Sequence, residues 1–181
     1  MAGYSEGMRY LVRQRLAAFA ASFWITDEDG NEVFQVDGQA LQLRKTFELT
    51  DQSGVVVAMI RQQPFRLRGT MDIERDGAVL ATVRRANVSL FRHRYQVSLA
   101  DGTVLDATGD FSDMNWELAA GDRVVGRISR QWFKIRDTYG VEVEPGEDPA
   151  LVIAIAVCID RLREQQRRGA ASAANRGLSG F

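Results

Sequence analysis

The feature that most constrains the fold is a run of ten apolar residues near the C-terminal end of the chain, residues 150–159 (ALVIAIAVCI). It follows Glu147-Asp148-Pro149, and acidic groups with a first-turn proline are typical of a helix start. A helix that is apolar on every side needs cover all round. Because ten helical residues rise only about 15 Å, half of the roughly 30 Å bilayer core, that cover must be protein rather than lipid.

A buried parallel strand is the alternative interpretation of this run, since the run is rich in β-branched residues. The charged continuation over residues 160–168, which contains no turn residue before Gly169, favours the helix. Small residues at positions 150, 154 and 158 recur at every fourth position. This spacing would let one stripe of the helix approach its surroundings closely.

A repeated turn followed by a short apolar segment runs through the chain before the helix. The glycines of four such turns are separated by 24, 23 and 25 residues, the length of two strands with their connections: Gly30, Gly54, Gly77 and Gly102. Asp-Gly favours the positive φ angles of tight hairpin turns. The flanking segments alternate apolar and polar residues, which indicates half-buried strands. These signals predict about eleven to thirteen strands between residues 8 and 144.

The predicted fold class is mainly β (α+β), with about twelve strands in a closed antiparallel barrel that encloses a hydrophobic C-terminal α-helix. An eight-stranded barrel would be filled by its own side chains and would leave no bore for a helix. The 181 residues suit one domain. We expect a flexible leader over residues 1–7, a barrel domain over 8–168 with its helix at about 148–168, and a flexible tail over 169–181. Met8 is an alternative start of translation.

Composition and charge indicate the cellular compartment of the protein and the partners that it can bind. The formal net charge of -1 and the pI near 5.9 argue against a general nucleic-acid binder, which usually carries a basic excess. Cys158 is the only cysteine and cannot form an internal disulfide, which fits a reducing, cytoplasmic setting. Residues 9–25 resemble a signal peptide, but bulky residues follow the small-residue triplet Ala18-Phe19-Ala20, so we expect no secretion.

Several segments, in their order and spacing, resemble one family. They are residues 8–15 (MRYLVRQR), 27–31 (DEDGN), 33–38 (VFQVDG), 132–141 (WFKIRDTYGV) and 146–152 (GEDPALV). Over about residues 8–164 the chain resembles a bacterial member of the LURP-one-related family. The resemblance implies a tubby-like fold, a twelve-stranded antiparallel barrel around a central hydrophobic helix, as in tubby C-terminal domains and phospholipid scramblases. Tubby domains bind phosphoinositide headgroups and scramblases act on lipids, but no residue of their lipid or calcium sites matches here.

No motif of this sequence predicts catalysis, a cofactor or a metal. His93 is the only histidine, and neither further histidine ligands nor a nucleophile accompany it. Seven acidic residues that could collect a calcium ion lack the spacing of a calcium-binding loop and are explained as solvated strand faces and a helix start: Asp106, Asp110, Asp113, Glu142, Glu144, Glu147 and Asp148. We therefore expect no enzyme, no cofactor and no metal site.

Charge is segregated along the chain. Residues 61–94 carry eight arginines and three acidic residues, a net +5, whereas residues 101–122 carry six acidic residues and no Lys or Arg, a net -6. Guanidinium groups hold phosphate through bidentate hydrogen bonds. The predicted ligand-binding residues are Arg61, Arg66, Arg68, Arg84, Arg85, Arg92 and Arg94. The alternative is that they pair with the acidic segment across neighbouring strands, at ~0.2 to 1 kcal/mol per pair.

Two functions follow as hypotheses. The first is a non-enzymatic binding module that recognises an anionic ligand such as a phospholipid headgroup, in the cytoplasm and peripheral to the membrane. The second is a protein-interaction or scaffold protein with no small ligand, which uses the tail and exposed aromatic residues as contacts. Neither hypothesis involves nucleic acid or a transmembrane segment.

Overall fold

The computed structural model describes residues 7–16, 21–39, 46–63, 69–86, 93–110, 115–130 and 138–177. Over these residues the chain forms twelve β-strands followed by one helix. Their bounds are β1 Met8–Leu16, β2 Ala21–Thr26, β3 Glu32–Gln39, β4 Thr46–Asp51, β5 Val56–Gln62, β6 Thr70–Arg75, β7 Ala78–Arg85, β8 His93–Leu99, β9 Val104–Asp110, β10 Asn115–Ala120, β11 Arg123–Ser129, β12 Thr138–Val143 and α1 Pro149–Gly177.

The strands form a closed antiparallel barrel in which each strand pairs with its neighbours in sequence. β1 closes the barrel onto β12, from Met8 opposite Val143 to Arg13 opposite Thr138. Along β8, Tyr95 and Val97 are buried while Gln96 and Ser98 are partly exposed, the alternation expected of a strand with one face to the core. The predicted fold class, a closed barrel of about twelve strands with a C-terminal helix, is confirmed.

The helix lies in the bore of this barrel. Residues 152–159 are at most 1% exposed, so the apolar run is covered on all sides as its composition requires. Close packing is visible at Gly126 of β11, where an added Cβ would lie 3.0 Å from Cγ1 of Val152. The helix interpretation of residues 150–159 is therefore right and the strand alternative is wrong.

The start of the helix is capped by the acidic residue that the sequence pointed to. Asp148 Oδ1 accepts hydrogen bonds from the backbone N–H groups of Ala150 (3.0 Å) and Leu151 (3.2 Å). Its other oxygen lies 2.7 Å from Nη1 of Arg75 at the end of β6. Asp148 therefore supplies acceptors for the free N–H groups of the first turn and attaches that turn to the barrel wall.

The end of the helix differs from the prediction. We expected the helix to end near residue 168 and a flexible tail to start at residue 169, but α1 continues to Gly177. An added Cβ at Gly169 would meet nothing within 4 Å, and alanines at 170, 171, 173 and 174 are strong helix formers. Local propensity therefore carries the helix beyond the barrel. Of the predicted leader, Gly7 is described, and residues 1–6 and 178–181 lie outside the described residues.

The hairpin turns depend on glycine more than on the Asp-Gly pair. At Asp76-Gly77 both residues have positive φ, 51° and 78°, the geometry of a type I′ turn. In the β4–β5 turn only Gly54 has positive φ among the described residues, and Asp51 acts through its side chain. Asp51 Oδ1 accepts from the Ser53 hydroxyl, the Ser53 N–H and the Val55 N–H, and these hydrogen bonds lower the pKa of this carboxyl.

Burial of the helix predicts the outcome of one substitution. Ile155→Asp places an unpaired carboxylate in the bore at a cost of several kcal/mol, so we expect no cooperatively folded protein. Val104→Asp, at a side chain 44% exposed in β9, is the control and should fold like the wild type. Urea denaturation followed by circular dichroism distinguishes them. Recovery of an Ile155→Asp variant with a cooperative transition would contradict the enclosed helix.

Candidate functional site

The two ends of the barrel differ in structure. The tight turns with positive-φ glycines lie at the end where α1 begins, which we call the hairpin end. The opposite end, which we call the helix-exit end, consists of the last residues of odd-numbered strands, the first residues of even-numbered strands, and α1 from Asp160 onward. At this end Gln62 of β5 and Gln165 of α1 exchange side-chain hydrogen bonds of 3.3 and 3.0 Å.

The structure places the described members of the predicted arginine set at the helix-exit end. Arg61 is next to the last residue of β5, Arg84 and Arg85 end β7, and Arg94 is the second residue of β8, opposite Thr108 of β9. Arg66, Arg68 and Arg92 lie outside the described residues, as does the side chain of Arg94. One end of the barrel therefore collects arginines that are up to 33 residues apart in sequence.

Arg61 is engaged by its own neighbours. Its Nε lies 3.1 Å from Oε2 of Glu74 on β6, and its Nη2 donates to the sulfur of Met59 at 2.9 Å. Glu74 belongs to the basic segment, so this ion pair does not connect the basic segment to the acidic one. At 42% exposure of the Arg61 side chain, the pair is worth about 1 kcal/mol or less.

Arg84 and Arg85 are exposed. Arg84 Nε donates to Oε1 of Gln96 at 3.0 Å, and its Nη2 reaches the same oxygen. Among the described residues neither arginine has a carboxylate at ion-pair distance. The described partner of Arg84 is a neutral amide, so both guanidinium groups keep their charge available to an anion.

The acidic segment makes its described ion pair with a different arginine. Glu117 of β10 lies 3.4 Å from Nε of Arg127 on β11, and Arg127 also lies 2.6 Å from Glu144 and 3.4 Å from Glu142. Asp101 accepts a 2.8 Å hydrogen bond from the N–H of Thr103 in its hairpin turn. Glu117 is therefore held by β11, and Asp101 is held by its own turn.

The sequence analysis missed a ring of large residues that surrounds the helix at the helix-exit end. Each is the second or third residue of an even-numbered strand and is at most 7% exposed. Their spacings along the chain are 24, 24, 24, 21 and 23 residues. We call this set the girdle: Phe23, Phe47, Met71, Tyr95, Trp116 and Tyr139. The repeat that revealed the turn glycines has nearly the same period and could have revealed the girdle.

The helix residues inside the girdle are charged. Asp160, Arg161 and Arg163 are only 6%, 8% and 5% exposed, although their sequence reads as the start of a polar stretch. The guanidinium carbon of Arg161 lies 4.7 Å from the ring centre of Phe23 and 5.7 Å from that of Phe47. Both positions favour attraction between the cation and the ring faces.

These charges hold one another in the girdle. Asp160 lies 3.5 Å from Arg161 and 3.9 Å from Arg163, and Arg161 also pairs with Glu164 at 2.8 Å. Burial raises the pKa of Asp160, and the two arginines offset part of this effect. Burial likewise raises the pKa of Cys158, two residues earlier, so the thiol is protonated and unreactive at neutral pH.

Comparison with known proteins identifies the family. The profile of the LURP-one-related family matches residues 8–160. The chain belongs to this family. The LURP-one-related chain is similar to the uncharacterised protein YxjI of Bacillus subtilis, with 26% identity over 169 residues that cover 82% of this chain and 90% of that protein.

The barrel also matches a solved structure. The crystal structure of an Arabidopsis thaliana protein is similar with a TM-score of 0.61 and 21% sequence identity, over 87% of this chain and 93% of that one. At this identity the match establishes the fold, which is tubby-like. It transfers no ligand and no site residue to the LURP-one-related chain.

Two further features of the described residues concern membrane spanning and metal binding. Within the described ranges, α1 included, no helix is both long and apolar enough to cross a membrane. The part of the chain that the structure describes also contains no group of three or more His, Cys, Asp or Glu side chains placed to hold a metal ion.

The girdle predicts a loss of stability at alkaline pH. Burial raises the pKa of Tyr95 to about 12 from its ordinary 10.0, so the folded state holds this proton more tightly than the unfolded chain. The resulting stability is present below pH 10 and is lost as pH rises to about 12, by about 2 to 3 kcal/mol. Urea denaturation across this interval should show a smaller loss for Tyr95→Phe than for the wild type. An equal loss would mean that Tyr95 does not titrate from a buried position.

Proposed function

We propose that this protein is a non-enzymatic binding module that recognises an anionic ligand, and that the ligand is a phospholipid headgroup at a membrane surface. The observation that carries the proposal is the adjacent exposed pair Arg84 and Arg85, for which the described residues supply no ion-pair partner. The proposed site is the predicted arginine set, whose described members lie at the helix-exit end: Arg61, Arg66, Arg68, Arg84, Arg85, Arg92 and Arg94.

The chemistry of arginine supports a phosphate-bearing ligand. A guanidinium group is weakly hydrated and presents a planar fork of donors that matches two phosphate oxygens. A cytoplasmic membrane surface is negatively charged, and each basic residue near it contributes about 1 kcal/mol. Such donors bind anions without supplying the nucleophile and base of an enzyme. We therefore propose a cytoplasmic protein that attaches peripherally to the membrane surface through its helix-exit end.

Vesicle co-sedimentation tests the proposal. The wild type should bind vesicles that contain anionic phospholipid, bind neutral phosphatidylcholine vesicles far less, and lose binding as salt screens the charges. The double substitution Arg84→Gln with Arg85→Gln should weaken binding by about 30-fold, the equivalent of two contributions of ~1 kcal/mol.

A matched control removes the same charge from the other end of the barrel. Arg9 and Arg123, at the hairpin end, have side chains 62% and 61% exposed, so Arg9→Gln with Arg123→Gln lowers the net charge equally. This control should bind vesicles like the wild type. Salt-insensitive binding, or equal weakening in both double variants, would refute a headgroup site at the helix-exit end.

A second candidate function, a protein-interaction module, is favoured by the opposite end. Three adjacent hairpins expose a valine just after the turn: Val55, Val79 and Val104, at 57%, 46% and 44% exposure. Exposed apolar residues that cluster on one face are typical of protein contacts. This contact surface differs from the tail and aromatic residues that the sequence suggested.

Pull-down with purified protein separates the two candidates. For an interaction module, a stoichiometric partner should be recovered, retained by the Arg84→Gln and Arg85→Gln variant, and lost when all three valines are changed to Ser. A partner that is retained by the valine variant would exclude the hairpin end as its binding surface.

A further inference from the structure

We propose that the charged turn of α1 inside the girdle, together with Arg130, forms a second anion site that binds a phosphate group within the barrel end. The site consists of Arg130, Arg161, Arg163, Trp116 and Tyr139. It goes beyond the surface site proposed above, because it uses neither Arg84 nor Arg85 and its members are largely buried.

The location of these residues follows from strand alternation and helix periodicity. Ile128 and Gly126 of β11 face the bore, and Arg130 follows directly after the last residue of β11, with its Nε buried. Arg161 lies against Phe23 and Phe47, and Tyr139 lies close enough to Asp160, Arg161 and Arg130 for their charges to affect the pKa of its phenol. Trp116 packs edge-on against Tyr95, with ring centres 5.2 Å apart.

Among the described residues of this cluster, positive charge exceeds negative charge. Three guanidinium groups, those of Arg130, Arg161 and Arg163, face the carboxylates of Asp160 and Glu164. Arg130 and Arg163 are near enough for the charge of Arg130 to help lower the pKa of Arg163, after the larger effect of burial. Buried charge is costly unless it is compensated, so a negative group that accepts hydrogen bonds would stabilise these guanidinium groups.

Hydrogen-bond donors are in excess as well. The hydroxyl of Tyr139, Nε1 of Trp116, Nε of Arg130 and Nε of Arg161 are all buried, and the structure gives these atoms no acceptor. Tyr139 and Trp116 are only 1% and 2% exposed, so bulk water does not accept hydrogen bonds from them as it does from surface groups. Each buried donor left without an acceptor destabilises the fold, because the hydrogen bonds that it made to water are not replaced. Among the described residues of this end, the unpartnered acceptor is Oε1 of Gln166.

The chemical class of the ligand follows from these two excesses. A group with several acceptor oxygens, no donor and at least one negative charge would accept hydrogen bonds from the unpaired N–H and O–H groups and would also neutralise positive charge. Phosphate meets this description, and arginine forks match its oxygens. The phosphate group has two sources, free phosphate or a soluble phosphomonoester on one hand, and the headgroup of a lipid on the other.

Calorimetric titration of the purified wild-type protein with inorganic phosphate tests the site. We expect saturable binding, and a rise in the unfolding temperature with phosphate concentration. Tyr139→Phe removes one donor and keeps the ring, so it should weaken phosphate binding by roughly ten-fold. Trp116→Phe is a second variant that removes a different donor and should have an effect of similar size.

Two controls separate this site from the surface site. Tyr10→Phe removes a phenol hydroxyl that bonds to Met8 at the hairpin end, and it should leave phosphate binding unchanged. The double variant Arg84→Gln with Arg85→Gln should keep the part of the phosphate binding that Tyr139→Phe weakens, so failure of the headgroup proposal would not affect this result. Absence of saturable binding, or equal binding by wild type and Tyr139→Phe, would overturn the interior site.

Vesicle binding by the same variant identifies the source of the phosphate. If Tyr139→Phe weakens binding to anionic vesicles as well as to inorganic phosphate, the site takes the headgroup phosphate of a lipid. If it weakens phosphate binding alone, the ligand is free phosphate or a soluble phosphomonoester. Both outcomes require the interior site, and they differ only in what occupies it.

Discussion

The enclosure of an apolar helix is the constraint on which the rest of this structure depends. Residues 152–159 have no polar face, so every side of this part of α1 must contact protein. A barrel wide enough to hold a helix needs more strands than one filled by its own side chains, and twelve are present here over the described residues. The wall leaves room for the helix with small inward residues: Ala58, Ala81, Ala107 and Gly126.

The same constraint makes the two ends of the barrel unequal. At the hairpin end the chain enters the bore through a capped first turn, and Asp148 joins helix and wall through Arg75. At the helix-exit end the helix changes from apolar to charged while it is still inside the wall. Large girdle residues replace the small inward residues at that level, and two of them, Phe23 and Phe47, lie against the guanidinium of Arg161. Charge and hydrogen-bonding capacity are therefore concentrated at one end, where both proposed sites lie.

The described part of the helix-exit end contains two layers of arginine, one exposed and one buried, which attract anions over different distances. Arg84 and Arg85 are exposed, so their attraction for an anion is long-ranged and falls with salt. Arg161 and Arg163 are buried, so their attraction is short-ranged and depends on geometry and on satisfied hydrogen bonds. The outer layer suits a charged surface of variable composition, and the inner layer suits one defined chemical group.

The sequence by itself determined the architecture. Turn glycines that recur about every 24 residues predict a series of hairpins, and the apolar run of residues 150–159 needs cover on all sides, so few folds satisfy both. It also determined that the arginines of residues 61–94 are in excess over acidic residues, but not which of them are engaged. Only the tertiary structure paired Arg61 with Glu74, left Arg84 and Arg85 without a described ion pair, and buried Asp160 to Arg163 within a girdle collected from six strands. Those facts depend on contacts that form only when the barrel closes and the helix lies inside it. Such contacts join residues far apart in sequence, so the charged positions themselves show no local sequence pattern.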